Sequence, residues 1–142
     1  GRILSRWSRP GWAWLVMPPT LWDREVVTIA ADTRVRVERA AQAAFDKKAA
    51  DVVALDVSDH LALTDAFLIC TGGNQRQVDA IVDGVEDAFD EPPVRREGQG
   101  KGRWVLLDFG DFVVHVQHAD ERAFYDLERL WKDCPVIEVS DV

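Results

Sequence analysis

The sequence predicts an α/β domain: a mixed five-stranded sheet with flanking helices, in the order α-β-β-α-β-β-β-α. Three observations carry this. Residues 51–57 (DVVALDV) and 66–72 (AFLICTG) are short, nearly continuous apolar runs of strand length. Val78, Ile81, Val82, Val85 and Phe89 recur at helical spacing. Residues 103–109 (RWVLLDF) and 112–117 (FVVHVQ) flank Gly110–Asp111, the signal of a tight hairpin. Helices interleaved with strands, then a β-meander, pack as one sheet with helices laid on it.

The elements follow in order. Residues 34–49 form a helix that Asp32 or Thr33 can cap, with Val37, Ala41, Ala44 and Phe45 on its apolar side. The strand 51–57 is expected to be covered on both faces. A polar link, SDHLALTD, leads to the second buried strand, 66–72, which ends at Gly72–Gly73. Asn74 stands where a helix cap belongs, and Asp79, Asp83, Glu86, Asp87 and Asp90 fill the solvent side of that helix. Pro92 and Pro93 stop it. VRRE is a short exposed strand, and GQGKG a loop before the hairpin. Asp120 can cap a last helix with Phe124, Leu127, Leu130 and Trp131 along one side, ending at Cys134–Pro135. The domain is expected to span 28–135, after an N-terminal extension of 1–27 and before a tail of 136–142.

A chain of 142 residues with 47% apolar and 30% charged residues suits one globular domain with an ordinary core. The net charge is −8, unevenly spread. Residues 1–27 carry four Arg against one Asp and one Glu, with four of the six Trp and three of the six Pro, and read as an extension outside the fold. Val26 or Val27 is the expected natural start, read as valine from an alternative start codon. The acidic remainder argues against gripping naked nucleic acid, which Lys and Arg hold by neutralising phosphates. It suits a basic protein partner. Cys70 and Cys134 form no C-x-x-C pair and read as free thiols of a reducing cytosol. No apolar run reaches the roughly 20 residues of a membrane span.

A two-residue turn at Gly110–Asp111 fixes the hairpin faces. Val105, Leu107, Phe109, Phe112, Val114 and Val116 share one face, plainly a core. Trp104, Leu106, Asp108, Val113, His115 and Gln117 share the other. Asp108 and His115 are diagonal neighbours there, as an acid–base pair would be, but no Ser, Cys or Thr nucleophile falls in the hairpin. The blander reading is a His hydrogen-bonded to a carboxylate within the sheet. His60, His115 and His118 are the only histidines, and neither they nor the cysteines have zinc-like spacing. TGGNQRQ lacks the P-loop and dinucleotide fingerprints, and a turn capping a helix accounts for its glycines. The second hairpin face reads either as protein-binding, with Trp104 the anchor, or as core that Trp104 merely fills.

Four segments in order, DVVALDVSD, TDAFLICTGGNQRQV, REG…GRWVLLDFGDFVVHV and ERAFYDLERLW, resemble the ribosomal silencing factor (Iojap-like) family. Each motif is weak alone; the ordered set, spanning 34–135, is specific. The closing LWKDCPVIEV is similar to actinobacterial members. The resemblance implies a fold related to nucleotidyltransferases but no enzyme activity, no cofactor and no metal. It implies a cytoplasmic protein that binds the large ribosomal subunit at ribosomal protein L-fourteen, with rRNA nearby but no free nucleic acid or membrane as partner. Such a protein blocks joining of the small subunit, represses translation in starvation or stationary phase, and is a homodimer when free. By the family motif the contact residues are Trp104, Leu107, Asp108 and Phe109, with Arg76 and Lys101 as weaker candidates, while His115 and Tyr125 are structural or dimer-forming. If all four motif residues touch the partner, either the strand 103–109 is a sheet edge or the hairpin register differs from the one a two-residue turn gives. The rival readings are a nucleotide-binding or nucleotidyl-transfer enzyme, which would bind ATP or GTP with Mg²⁺, and an interaction module for another basic protein.

Overall fold

The computed structural model describes residues 19–61, 63–98 and 103–141. Helix α1 (Pro19–Asp46) leads to strands β1 (Ala50–Asp56) and β2 (Ala66–Gly72), helix α2 (Gln75–Asp87) and strands β3 (Arg95–Glu97), β4 (Trp104–Asp108) and β5 (Phe112–His118). Helices α3 (Ala119–Tyr125) and α4 (Leu127–Leu130) and strand β6 (Val136–Ile137) complete the chain. The sheet order is β3-β4-β5-β2-β1-β6. Among the described strands, β2 and β5 run parallel and the other neighbours antiparallel.

The mixed α/β class is as the sequence predicts, but the sheet has six strands, not five. Val136 and Ile137, expected to lie in a tail, pair with Leu55 and Ala54 of β1. The first helix starts at Pro19 instead of residue 34, across the expected boundary of the extension, and stops at Asp46. Residues 1–18 of that extension lie outside the described residues. Strand β1 is not covered on both faces along its length. Its first residues are exposed, and burial begins at Ala54, where β6 arrives. Strand β2 is buried throughout, as expected of a central strand.

Two layers of side chains flank the sheet. On one face, Val37, Ala40, Ala41 and Ala44 of α1 and Val78, Ile81, Val82 and Val85 of α2 close over Leu68, Cys70, Val105, Leu107, Val114 and Val116. The alanines let α1 approach closely. On the other face, Leu127 and Trp131 pack with Phe67, Ile69, Val113 and Leu106. Asn74 caps α2 as predicted, its side chain accepting the Gln77 N–H at 2.9 Å.

The β4–β5 register is the predicted one: Trp104 faces Gln117, Leu106 faces His115 and Asp108 faces Val113. Gly110 turns the chain with φ +94°. The Phe109 N–H donates to the Phe112 carbonyl at 2.9 Å, closing the turn. Asp111 in the turn is paired with Arg36 of α1, whose guanidinium also lies 5.2 Å over the Phe112 ring. The hairpin is thereby pinned to the first helix.

Candidate docking site

Strand β4 is interior. The three residues of β3 pair with it on one side and β5 covers the other. Alternation then separates the four motif residues. Leu107 is 0% exposed in the main core. Phe109 is 6% exposed, stacked on Phe112 at 5.0 Å and against Phe89 at 4.9 Å. Both side chains are buried in this fold, so the four motif residues do not share one exposed surface. Trp104 and Asp108 are half-buried on the opposite face.

Those two are four residues apart, about 13 Å along the strand. Asp108 closes the turn, its Oδ1 accepting the Gly110 N–H at 2.8 Å. Arg76 is exposed on the first turn of α2, the helix that covers the main core on the sheet's other face. It does not join Trp104. Lys101 lies outside the described residues.

What surrounds Trp104 is aromatic. Its ring lies 4.8 Å from Tyr125, and Tyr125 lies 5.0 Å edge-on to Phe124. Tyr125 is 49% exposed, Phe124 80%, and Leu130 on the next short helix 72%. The sequence predicts Phe124, Leu127, Leu130 and Trp131 along one side of one helix. The helix instead breaks at Asp126, which adopts the left-handed conformation with φ 43°. The break lets Leu127 and Trp131 pack inward while Phe124 and Leu130 face solvent. An Asp tolerates that conformation, a weak signal that the sequence did carry. His118, not Asp120, caps the first half, its Nδ1 accepting the Asp120 N–H at 3.1 Å.

Charged side chains tie the ridge down. Arg122, almost fully buried, donates to Thr71 Oγ1 and Glu128 Oε1, each at 2.8 Å, clamping α3 and α4 to β2. Arg103, just ahead of Trp104, pairs with Glu121 at 2.7 Å. Asp120 beside it is largely exposed. The ridge is thus apolar at its crest with carboxylates at its margin.

The Trp104 indole donates from Nε1 to His115 Nδ1 at 3.2 Å. His115 is therefore bonded to an indole, not to the carboxylate of Asp108 as the simplest sequence reading held. Burial pushes its pKa down to about 4. The ring is thus held neutral with its Nδ1 engaged by the indole. Cys70 lies on the other face, where burial drives its thiol up to about 12. The Gly72–Gly73 turn is occupied by its own side chains. The Gly73 N–H donates to Gln77 Oε1 at 2.7 Å, and Gln77 Nε2 donates to the carbonyls of Lys47 and Lys48. A Cβ at Gly72 would stand 2.9 Å from the Val78 nitrogen, so close packing requires that glycine. Among the described residues no group of three His, Cys, Asp or Glu is placed to hold a metal.

The sequence profile described as "Ribosomal silencing factor during starvation" matches residues 30–142. The chain belongs to the ribosomal silencing factor family. A Bacillus subtilis protein named "Ribosomal silencing factor RsfS" is 46% identical over 104 residues, covering 71% of this chain and 88% of its own length. The protein of the same name from Halalkalibacterium halodurans is 45% identical over 109 residues, covering 75% and 93%. A crystal structure of a Chromobacterium violaceum protein superposes with a TM-score of 0.63 at 38% identity, over 66% of this chain and 80% of that one. The match extends past Pro135, consistent with β6 belonging to the sheet. The family name denotes a regulatory role in translation and points to the ribosome. No helix among the described residues is long and apolar enough to cross a membrane.

Proposed function

We propose that this silencing factor binds the large ribosomal subunit at ribosomal protein L-fourteen and sterically blocks joining of the small subunit, repressing translation under starvation or stationary phase. The observation that carries the proposal is the solvent-facing aromatic ridge of Trp104, Tyr125 and Phe124 on an acidic protein. Exposed aromatics bordered by charge are the composition of interface hot spots. A protein of net charge −8 is attracted to a basic ribosomal protein and repelled by bare rRNA phosphate, which restricts where it docks.

Trp104 is the anchor in this reading, and Asp108 marks the far limit of the same sheet face. Leu107 and Phe109 hold β4 in place from beneath. Lys101, two residues ahead of Arg103 in the chain, is a secondary contact, whereas Arg76, on α2 over the sheet's other face, lies outside this surface. The mechanism requires no bond chemistry, cofactor or metal: a domain of this size occupies space that an intersubunit bridge needs. The protein acts in the cytoplasm, and free copies pair as homodimers.

The test is subunit joining followed by light scattering, with purified protein added to separated subunits. Slower joining, relieved by excess free L-fourteen, supports the proposal. Joining at the unperturbed rate with saturating protein overturns it. Binding of ATP or GTP with Mg²⁺ under the same conditions would return the nucleotidyl-transfer reading.

A further inference from the structure

Trp104 is half-buried on its sheet face, and a side chain at a surface can in general adopt more than one staggered rotamer. Rotational freedom in an anchor is lost on binding and weakens the complex. The chain restrains this indole from below. His115, in the next strand and 6% exposed, accepts the Trp104 Nε1–H on Nδ1 at 3.2 Å.

The geometry fixes the state of the imidazole. An indole nitrogen only donates, so Nδ1 must be bare and the ring proton must sit on Nε2. Nε2 is buried and has no hydrogen-bond partner among the described residues. Buried polar atoms in folded proteins are nearly always paired, so His115 is a costly way to fill this position. Val, as at three other positions of β5, would fill it without an orphan. What His115 offers instead is the acceptor beneath Trp104. The ring is itself held in plane by Phe67, edge-on at 4.8 Å. Tyr125 closes on the indole from the other side at 4.8 Å.

We infer that His115 is a positioning residue for docking: it fixes the Trp104 indole in the orientation that the partner receives. The inference rests on Trp104 being the anchor, as proposed above. Gln117, opposite Trp104 in the register and also buried with an unpartnered amide, is the control. His115→Asn keeps an acceptor near the place of Nδ1; His115→Phe keeps a ring and removes it.

The experiment reads the indole N–H signals in ¹⁵N–¹H spectra, with Trp104 assigned through Trp104→Phe, alongside sedimentation with large ribosomal subunits. In the wild type, the Trp104 N–H should exchange with solvent at least about tenfold more slowly than a free indole. Folded His115→Phe should lose that protection and bind the subunit roughly tenfold more weakly, while His115→Asn retains both. An unprotected indole in the wild type overturns the inference without any variant. So does loss of protection in Gln117→Leu in place of His115→Phe. A freed indole with unchanged subunit binding overturns the docking role. If the wild type does not sediment with the subunit, the docking proposal fails, and with it the role of His115 in docking. The exchange rates then decide separately whether His115 holds the indole.

Discussion

Truncating Leu107 and truncating Trp104 should have opposite signatures, although the two residues stand three apart in one motif. Leu107 is wholly buried between α1, α2 and the sheet. Leu107→Ala removes a core side chain and leaves a cavity, at about 3 kcal/mol. For a domain of this size that lowers Tm by about 10 °C. The surviving folded fraction keeps its ridge and binds the large subunit normally. Trp104→Ala instead costs about 1–2 kcal/mol of stability, through the lost Tyr125 contact and the indole–His115 bond. Its effect on binding is about 2 kcal/mol or more, roughly 30-fold in Kd. The assay pairs urea unfolding with subunit sedimentation well below each variant's Tm. A Leu107→Ala protein of wild-type stability that fails to bind would refute the assignment of the two faces.

Three further outcomes follow from the geometry. His115 has its pKa lowered from 6.5 to about 4 by burial, so the unfolded chain binds its proton more readily in that window. Its contribution to stability is complete above pH 6.5 and falls as pH drops toward 4, by about 3 kcal/mol in total. Urea unfolding of the wild type should weaken with acid by that much more than His115→Leu, and parallel pH profiles would contradict it. Gly98 has φ +83° and a Cβ there would stand 2.0 Å from the Trp104 carbonyl oxygen. Gly98→Ala should therefore destabilise the protein by roughly 2 kcal/mol or more in thermal melting, whereas Gly110→Ala, with open space around it, costs less. Finally, Cys70 and Cys134 are buried, so thiol reagents should label neither until the chain unfolds, as mass spectrometry of labelled protein can show.

The parts of this fold that were legible in the sequence are those with strong local patterning. Given a two-residue turn at Gly110–Asp111, the period-2 alternation leads to the β4–β5 register observed. The α2 stripe and its Asn74 cap were equally plain. What stayed hidden depends on non-local partners. Val136 and Ile137 are two residues long and become a strand only because β1 offers Ala54 and Leu55 an open side. The burial of β1 was overread for the same reason, since its apolar run does not tell how many neighbours it has. Phe124 and Leu130 look like core at helical spacing, and the turn at Asp126 that exposes them has no proline or glycine to announce it. The family motif was legible, but a motif does not distinguish exposed residues from residues that hold them in place. Burial makes that distinction: Leu107 and Phe109 lie in the core, while Tyr125 packs on Trp104 and Phe124 on Tyr125 at the surface.

The most direct test of the account is sedimentation with separated ribosomal subunits, comparing the wild type with a Trp104→Ala, Phe124→Ala double variant of confirmed fold. The account predicts that the wild type travels with the large subunit alone and that the folded variant stays at the top of the gradient. A variant that sediments with the large subunit as the wild type does would contradict the aromatic ridge as the docking site.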